Sequence, residues 1–189
     1  MNKRMISLGL AMGLIALAGC NKNQEGKEAA SNGTEAVKQA GDKTIAASLD
    51  QNGKYAALAK AAGLDLTLQG PGPYTVFVPD DAAFDKLPAG TTDSWMKPEG
   101  RPELTRTLTY SILPGTVLAA DIAKAIDNGK GKAELATMGG EALTATKDGD
   151  RITLTDAAGG KATITKADDT MANGVVHHTD GVLMPDKPS

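Results

Sequence analysis

The chain has 189 residues, 41% of them hydrophobic but only 3% aromatic, and a formal charge of −3. That length supports one domain with an appendage, and with so few aromatics its core must come from Leu, Ile, Val, Met and Ala. An acidic chain with no basic block lacks the electrostatic footprint of a nucleic-acid binder, so that class is excluded.

Residues 1–19 begin with Lys3 and Arg4, continue through an apolar run from Met5 to Ala18, and end in small residues before Cys20. This is the pattern of a secretory leader. Its run of about 14 apolar residues falls short of the roughly 18–20 that a helix needs to span a bilayer. Losing Lys3 and Arg4 with the leader would take the charge from −3 to −5. Leu17-Ala18-Gly19-Cys20 resembles the lipobox of bacterial lipoproteins. The resemblance implies cleavage between Gly19 and Cys20, a diacylglyceryl group on the Cys20 thiol, and an acyl chain such as palmitate on the new amine. Cys20 is the single cysteine, so it has no partner for an intramolecular disulfide, and lipidation accounts for it. One acyl chain gives only marginal membrane binding, whereas two or three hold a soluble domain durably. Asn21, where an Asp would imply retention at the inner membrane, points the resemblance toward the outer membrane of the cell envelope.

Residues 20–43 are rich in Gly, Asn, Gln, Glu and Lys, with Val37 the one strongly apolar side chain. Such a segment buries too little surface to offset its ordering entropy and reads as a tether. As a flexible coil its 23 or so residues would span on the order of 25–30 Å, which keeps the domain near its membrane.

The domain is expected over residues 44–186. Thr44 can cap Ile45 to Leu49, and Lys54 to Ala62 reads as a helix stopped by Gly63. Gly70-Pro71-Gly72-Pro73 forms a turn into a short β run, Tyr74 to Val78, which Pro79 ends. Asp80 or Asp81 can cap a short helix containing Phe84. Pro102 suits the first turn of a helix with Leu104 and Leu108 on one face, and Pro114-Gly115 turns toward another helix over Asp121 to Asn128. Beyond Gly129 the period changes to two: Leu143 and Ala145, Ile152 and Leu154, and Ala162 and Ile164 alternate with polar residues. That pattern makes an antiparallel meander with one wet face. Asn173-Gly174 opens a last strand, Val175 to Thr179, and Asp180-Gly181 turns into Val182 to Pro185. Helices early and strands late make the class α+β.

Three segments resemble the fasciclin family. Pro73 to Phe84, with Thr75, Phe77, Pro79, Asp80 and Phe84, resembles its first signature box. Leu108 to Gly115, with Tyr110, Pro114 and Gly115, resembles its central Tyr-His segment. Asn173 to Pro185, with Asn173, Gly174 and His177, resembles its second box. Two positions depart from the family: Ser111 stands where it usually has His, and His178 stands where it has an apolar residue. The resemblance implies a wedge of two β-sheets with helices packed on one side, and a role in adhesion or interaction. Asp121-Ile122 resembles a pair that animal fasciclin adhesins present to receptors, so it is a possible binding site. The plainer reading is a helix-start Asp beside a core Ile.

No catalytic, metal or cofactor site is expected. His177 and His178 are neighbours on a strand and point to opposite faces, so they cannot readily chelate one ion. His177 is expected to be buried and hydrogen-bonded, with His178 nearer water. A Ser111–His177–Asp180 triad can be written from residue types, but the chain lacks a G-x-S-x-G elbow. Two functions remain. One is a membrane-tethered, non-enzymatic module binding a protein or polysaccharide; the other is a periplasmic binder of a small ligand. A broad exposed apolar patch favours the first and a closed apolar pocket the second.

Overall fold

The structure, a computed structural model, describes residues 41–186. The leader, the Gly19–Cys20 cleavage site and the tether as far as residue 40 lie outside the described residues. The chain is docked three residues before the expected start: Gly41 N–H donates to Thr170 O and Ala172 N–H to Lys43 O.

Four helices precede or follow the first strand at short intervals. α1 is Ile45–Ser48, α2 Lys54–Ala61 and α3 Asp65–Gln69; β1 is Tyr74–Pro79 and α4 Asp81–Phe84. Thr44 Oγ1 accepts the Ala47 N–H at the start of α1, as expected. Asp81 does something its sequence position does not suggest: its carboxylate accepts the N–H of Lys54, capping α2 from 27 residues away. α5 (Thr91–Met96) buries Trp95 and leads through a 3-10 turn into α6 (Arg101–Tyr110), whose first turn holds Pro102. Then come β2 (Ile112–Pro114), α7 (Ala119–Asn128) and five-residue β3 (Lys132–Ala136). β4 (Ala142–Asp148), β5 (Arg151–Thr155), β6 (Lys161–Met171) and β7 (Gly174–Thr179) complete the order.

The strands form one hydrogen-bonded series, β2-β1-β7-β6-β5-β4-β3. β1 is antiparallel to β2 but parallel to β7, with Tyr74 opposite Gly174 and Phe77 opposite His177. Both central strands are buried on both faces, which is why they read as continuous apolar runs. β6 pairs with β5 early and with β7 late, and its register breaks between Ile164 and Lys166 and again between Lys166 and Asp169. Bulges of this kind bend a strand and increase its twist. Here they lie on β6, the strand that joins the β2-β1-β7 part of the sheet to the β5-β4-β3 part.

Each half has its own core. Val76, Val78 and Val176 face α1, α2, α5 and α6 through Ile45, Leu58, Trp95, Leu104 and Leu108. The alternate residues of β1, with Leu113 of β2, turn the other way. Phe77 and Leu113 join Leu143, Ala145, Ile152 and Leu154 of the meander, together with Ile122 and Ile126 of α7. Ile122 and Ile126 are four apart and so share one helix face. The hydroxyl of Tyr110, itself fully buried, accepts from Ala157 N–H and donates to Ala142 O, fastening the end of α6 to the meander. The sheet edges also meet, since Met138 N–H donates to Ile112 O at 2.7 Å. Covering the β2 edge in this way removes a template for unwanted pairing.

Candidate functional site

The second-box histidine organises the irregular segment between β2 and α7. His177 is fully buried on β7 and stacks on Phe77, with ring centroids 5.5 Å apart. Its Nδ1 accepts the Asp168 N–H at 3.1 Å, so Nε2 carries the proton and donates to Val117 O at 2.9 Å. Asp168 sits in the second β6 bulge at φ 60, and its carboxylate accepts the Ala119 N–H at 2.8 Å. From β1, Thr75 Oγ1 donates to Gly115 O and accepts the Val117 N–H, both at 2.8 Å. Two signature residues, Thr75 of β1 and His177 of β7, together with Asp168 of β6, thus clasp residues 115–119 from three strands. Burial pushes the His177 pKa down, with the Val117 carbonyl and Asp168 opposing and His178 adding to the fall.

Asn173 does the same for the opposite end of β7. Its Oδ1 accepts the Ile45 N–H at 2.8 Å, and its Nδ2 donates to Leu68 O and Gly70 O, each at 2.8 Å. One amide thereby joins α1, α3 and the turn into β1.

The possible receptor pair does not stand on the surface together. Ile122 is 0% exposed in the second core, so no partner can reach it in this fold. Asp121 is exposed, and its Oδ2 accepts the Leu118 N–H at 3.1 Å, closing the first turn of α7. The pair thus consists of a helix-start Asp open to solvent beside a core Ile.

The written-out triad is also absent. Ser111 is buried and its hydroxyl donates to Leu108 O at 2.8 Å, both His177 nitrogens are occupied, and Asp180 Oδ1 accepts the Thr163 N–H. Near Ser111, burial pushes the Tyr55 hydroxyl up to about 12, although the Ser111 hydroxyl pulls it the other way.

His178 faces away from His177 and is partly exposed, with Nδ1 3.5 Å from Asp80 and Nε2 3.9 Å from Asp169. It borders a cleft of about 210 Å³ whose walls include Asp50, Tyr55, Val78, Asp81 and Met171. Ligand pockets for drug-sized molecules run to about 300–1,000 Å³ and are mostly apolar; this one is smaller and rimmed with carboxylates. Among the described residues no group of three His, Cys, Asp or Glu is placed to hold a metal ion. Among the described residues the large exposed apolar side chains are Leu66 on α3, Met96 on α5 and Met138 in the turn after β3, so they form no common patch along one element. Single exposed residues of this kind are ordinary.

Asp168 carries no signal of this role in the sequence. Nothing in Ala167-Asp168-Asp169 announces a bulge, although Asp tolerates positive φ better than most residues do.

Comparison with known proteins places this geometry in context. Residues 50–185 match the family model described as the fasciclin domain. Protein sll1483 of Synechocystis is 38% identical over 142 residues, which cover 75% of this chain and 71% of that protein. The transforming growth factor-beta-induced protein ig-h3 of Sus scrofa is 35% identical over 127 residues, 67% of this chain but 16% of the pig protein. Among solved structures, a FAS1 domain pair from the insect cell adhesion molecule fasciclin I superposes with a TM-score of 0.64 at 16% identity. That match covers 75% of this chain and 51% of the insect chain, and it shows the fold alone.

Proposed function

The chain belongs to the fasciclin domain family, and from that premise we propose that it is a non-enzymatic adhesion or interaction module, tethered to the bacterial envelope by lipid on Cys20. The observation that carries the binding half of this reading is where the signature residues are used. Thr75, Tyr110, Asn173 and His177 are all consumed by hydrogen bonds that hold loops and strand ends. What remains exposed is shape and side-chain surface, which suits recognition of a protein or polysaccharide. The small-ligand alternative would have to use the 210 Å³ cleft, whose size and charged rim suit it poorly.

The tether is tested at its cysteine. In fractionated cells, Cys20→Ala should leave membranes for the soluble fraction or accumulate as uncleaved precursor, while the parent chain stays membrane-bound with the added mass of its acyl groups. Parent and variant of equal mass and equal membrane partitioning would overturn the lipid anchor.

A further inference from the structure

We propose that His177 is an acid-sensitive latch, and that a proton taken up on Nδ1 releases the clasped segment Val117–Ala119 from the second core. The inference concerns the conformation of the domain and stands whether or not a partner is bound.

The argument is one of donors and acceptors. In the closed form Nδ1 has a single task, accepting the Asp168 N–H, while Nε2–H serves Val117 O. An imidazolium has two N–H groups and no acceptor. Protonation therefore sets an N–H against the Asp168 N–H and removes that bond outright. Asp168 is the residue whose carboxylate holds Ala119 N–H, so moving its backbone loosens a second point of the same clasp. Val117 and Leu118 are irregular and Ala119 opens α7, and the Val117 and Ala119 side chains are only partly buried where they pack against the second core. Such segments open more readily than the paired strands around them. β7 itself stays held by its six-residue register with β1.

The groups facing the ring do not compensate. Asp168 Oδ1 lies 3.9 Å from Nδ1 and favours the charged form, but His178 beside it opposes. β1 presents the Phe77 ring, and the loop presents only its backbone carbonyl. Burial outweighs these and lowers the pKa of His177 below the ordinary histidine value of 6.5. The sign follows. Above 6.5 both closed and open forms are neutral at this residue and the latch holds in full. As pH falls below that value the open form binds a proton that the closed form resists, so the open population rises with falling pH.

Hydrogen exchange on the full chain, corrected for the intrinsic pH dependence of exchange, tests this between about pH 8 and about pH 5. Protection of residues 115–121 and 165–169 should fall together on acidification, approaching about tenfold per pH unit for a one-proton process. The meander β3–β5 should stay protected. In His177→Gln the amide can accept from Asp168 and donate to Val117 without titrating, and protection there should be flat across the range. Should that variant fail to fold, Asp168→Asn decides. It keeps an acceptor for Ala119 N–H and removes the charge that favours imidazolium in the closed form, so release should begin at the same pH and be larger at the acid end of the range. Equal corrected protection at both ends of the range, release that persists in His177→Gln, release in Asp168→Asn that is smaller than the parent's at the acid end, or simultaneous opening of the whole domain would each overturn the latch.

Discussion

Gly174→Ala should be the most damaging conservative change in the domain, lowering its stability by on the order of 4 kcal/mol or more, with loss of the folded protein from expression. Gly174 has φ 154, and a Cβ built there would lie 1.9 Å from Tyr74 O and 2.8 Å from Tyr74 N and C. The obstacle is backbone, so no rotamer change relieves it. It is also the backbone of the strand with which β7 pairs, because Tyr74 and Gly174 are opposite one another in the parallel register. Either the first pair of the central ladder separates or β7 shifts, and a shift by one residue would turn His177 out of its pocket. Domains of this size are stable by only about 5–15 kcal/mol, so a loss of this magnitude takes a large part of the total. Urea unfolding measures it; a change under about 1 kcal/mol would show that the close approach is not real.

Asn173→Ala should cost about 3 kcal/mol by the same measurement, through the buried Ile45 N–H and the Leu68 and Gly70 carbonyls it leaves without their partner. The sharper comparison is Asn173→Asp, which is nearly isosteric. An aspartate still accepts from Ile45 N–H but replaces two donated bonds with an anion facing two carbonyl oxygens. At neutral pH it should therefore be at least as damaging as Ala. Acidification should recover part of the loss, as the carboxyl takes a proton and donates again. An aspartate variant as stable as the parent at neutral pH would mean that this side chain is not the clamp that joins α1, α3 and the β1 turn.

The sequence showed most clearly those parts whose cause is local. The β1 and β7 runs, the Thr44 cap, the Pro102 helix start and the alternation of Leu143 with Ala145 or Ile152 with Leu154 all follow from propensity and period. The faces of His177 and His178 followed from strand geometry alone. Three elements did not stand out. α3 and its N-cap carry Leu64, Leu66 and Leu68 two apart, an alternation that reads as a strand and not a helix stripe, and Leu66 is in fact 73% exposed. α5 is built from Thr, Thr, Asp and Ser with Trp95 as its single buried anchor. β3 follows Gly129-Lys130-Gly131 closely enough to read as connector, although Ala133 and Leu135 alternate as the other meander strands do.

The rest was illegible for a topological reason. Parallel pairing of β1 with β7 spans about a hundred residues of chain, and the partners of His177 lie 9 and 60 residues away. No window along the sequence contains them both. For Asp121-Ile122 the residues alone already favour a helix-start Asp beside a core Ile, and the structure turns Ile122 wholly inward.

Turnover by the full-length protein on esterase, phosphatase and glycosidase substrate panels tests the central reading most directly. With Ser111 bonded to Leu108, both His177 nitrogens occupied and Asp180 engaged by Thr163, the rate should not exceed that of buffer, and Ser111→Ala should behave as the parent. Turnover of any substrate that disappears in Ser111→Ala or His177→Ala, with circular dichroism showing the variant still folded, would contradict a domain that binds and does not catalyse.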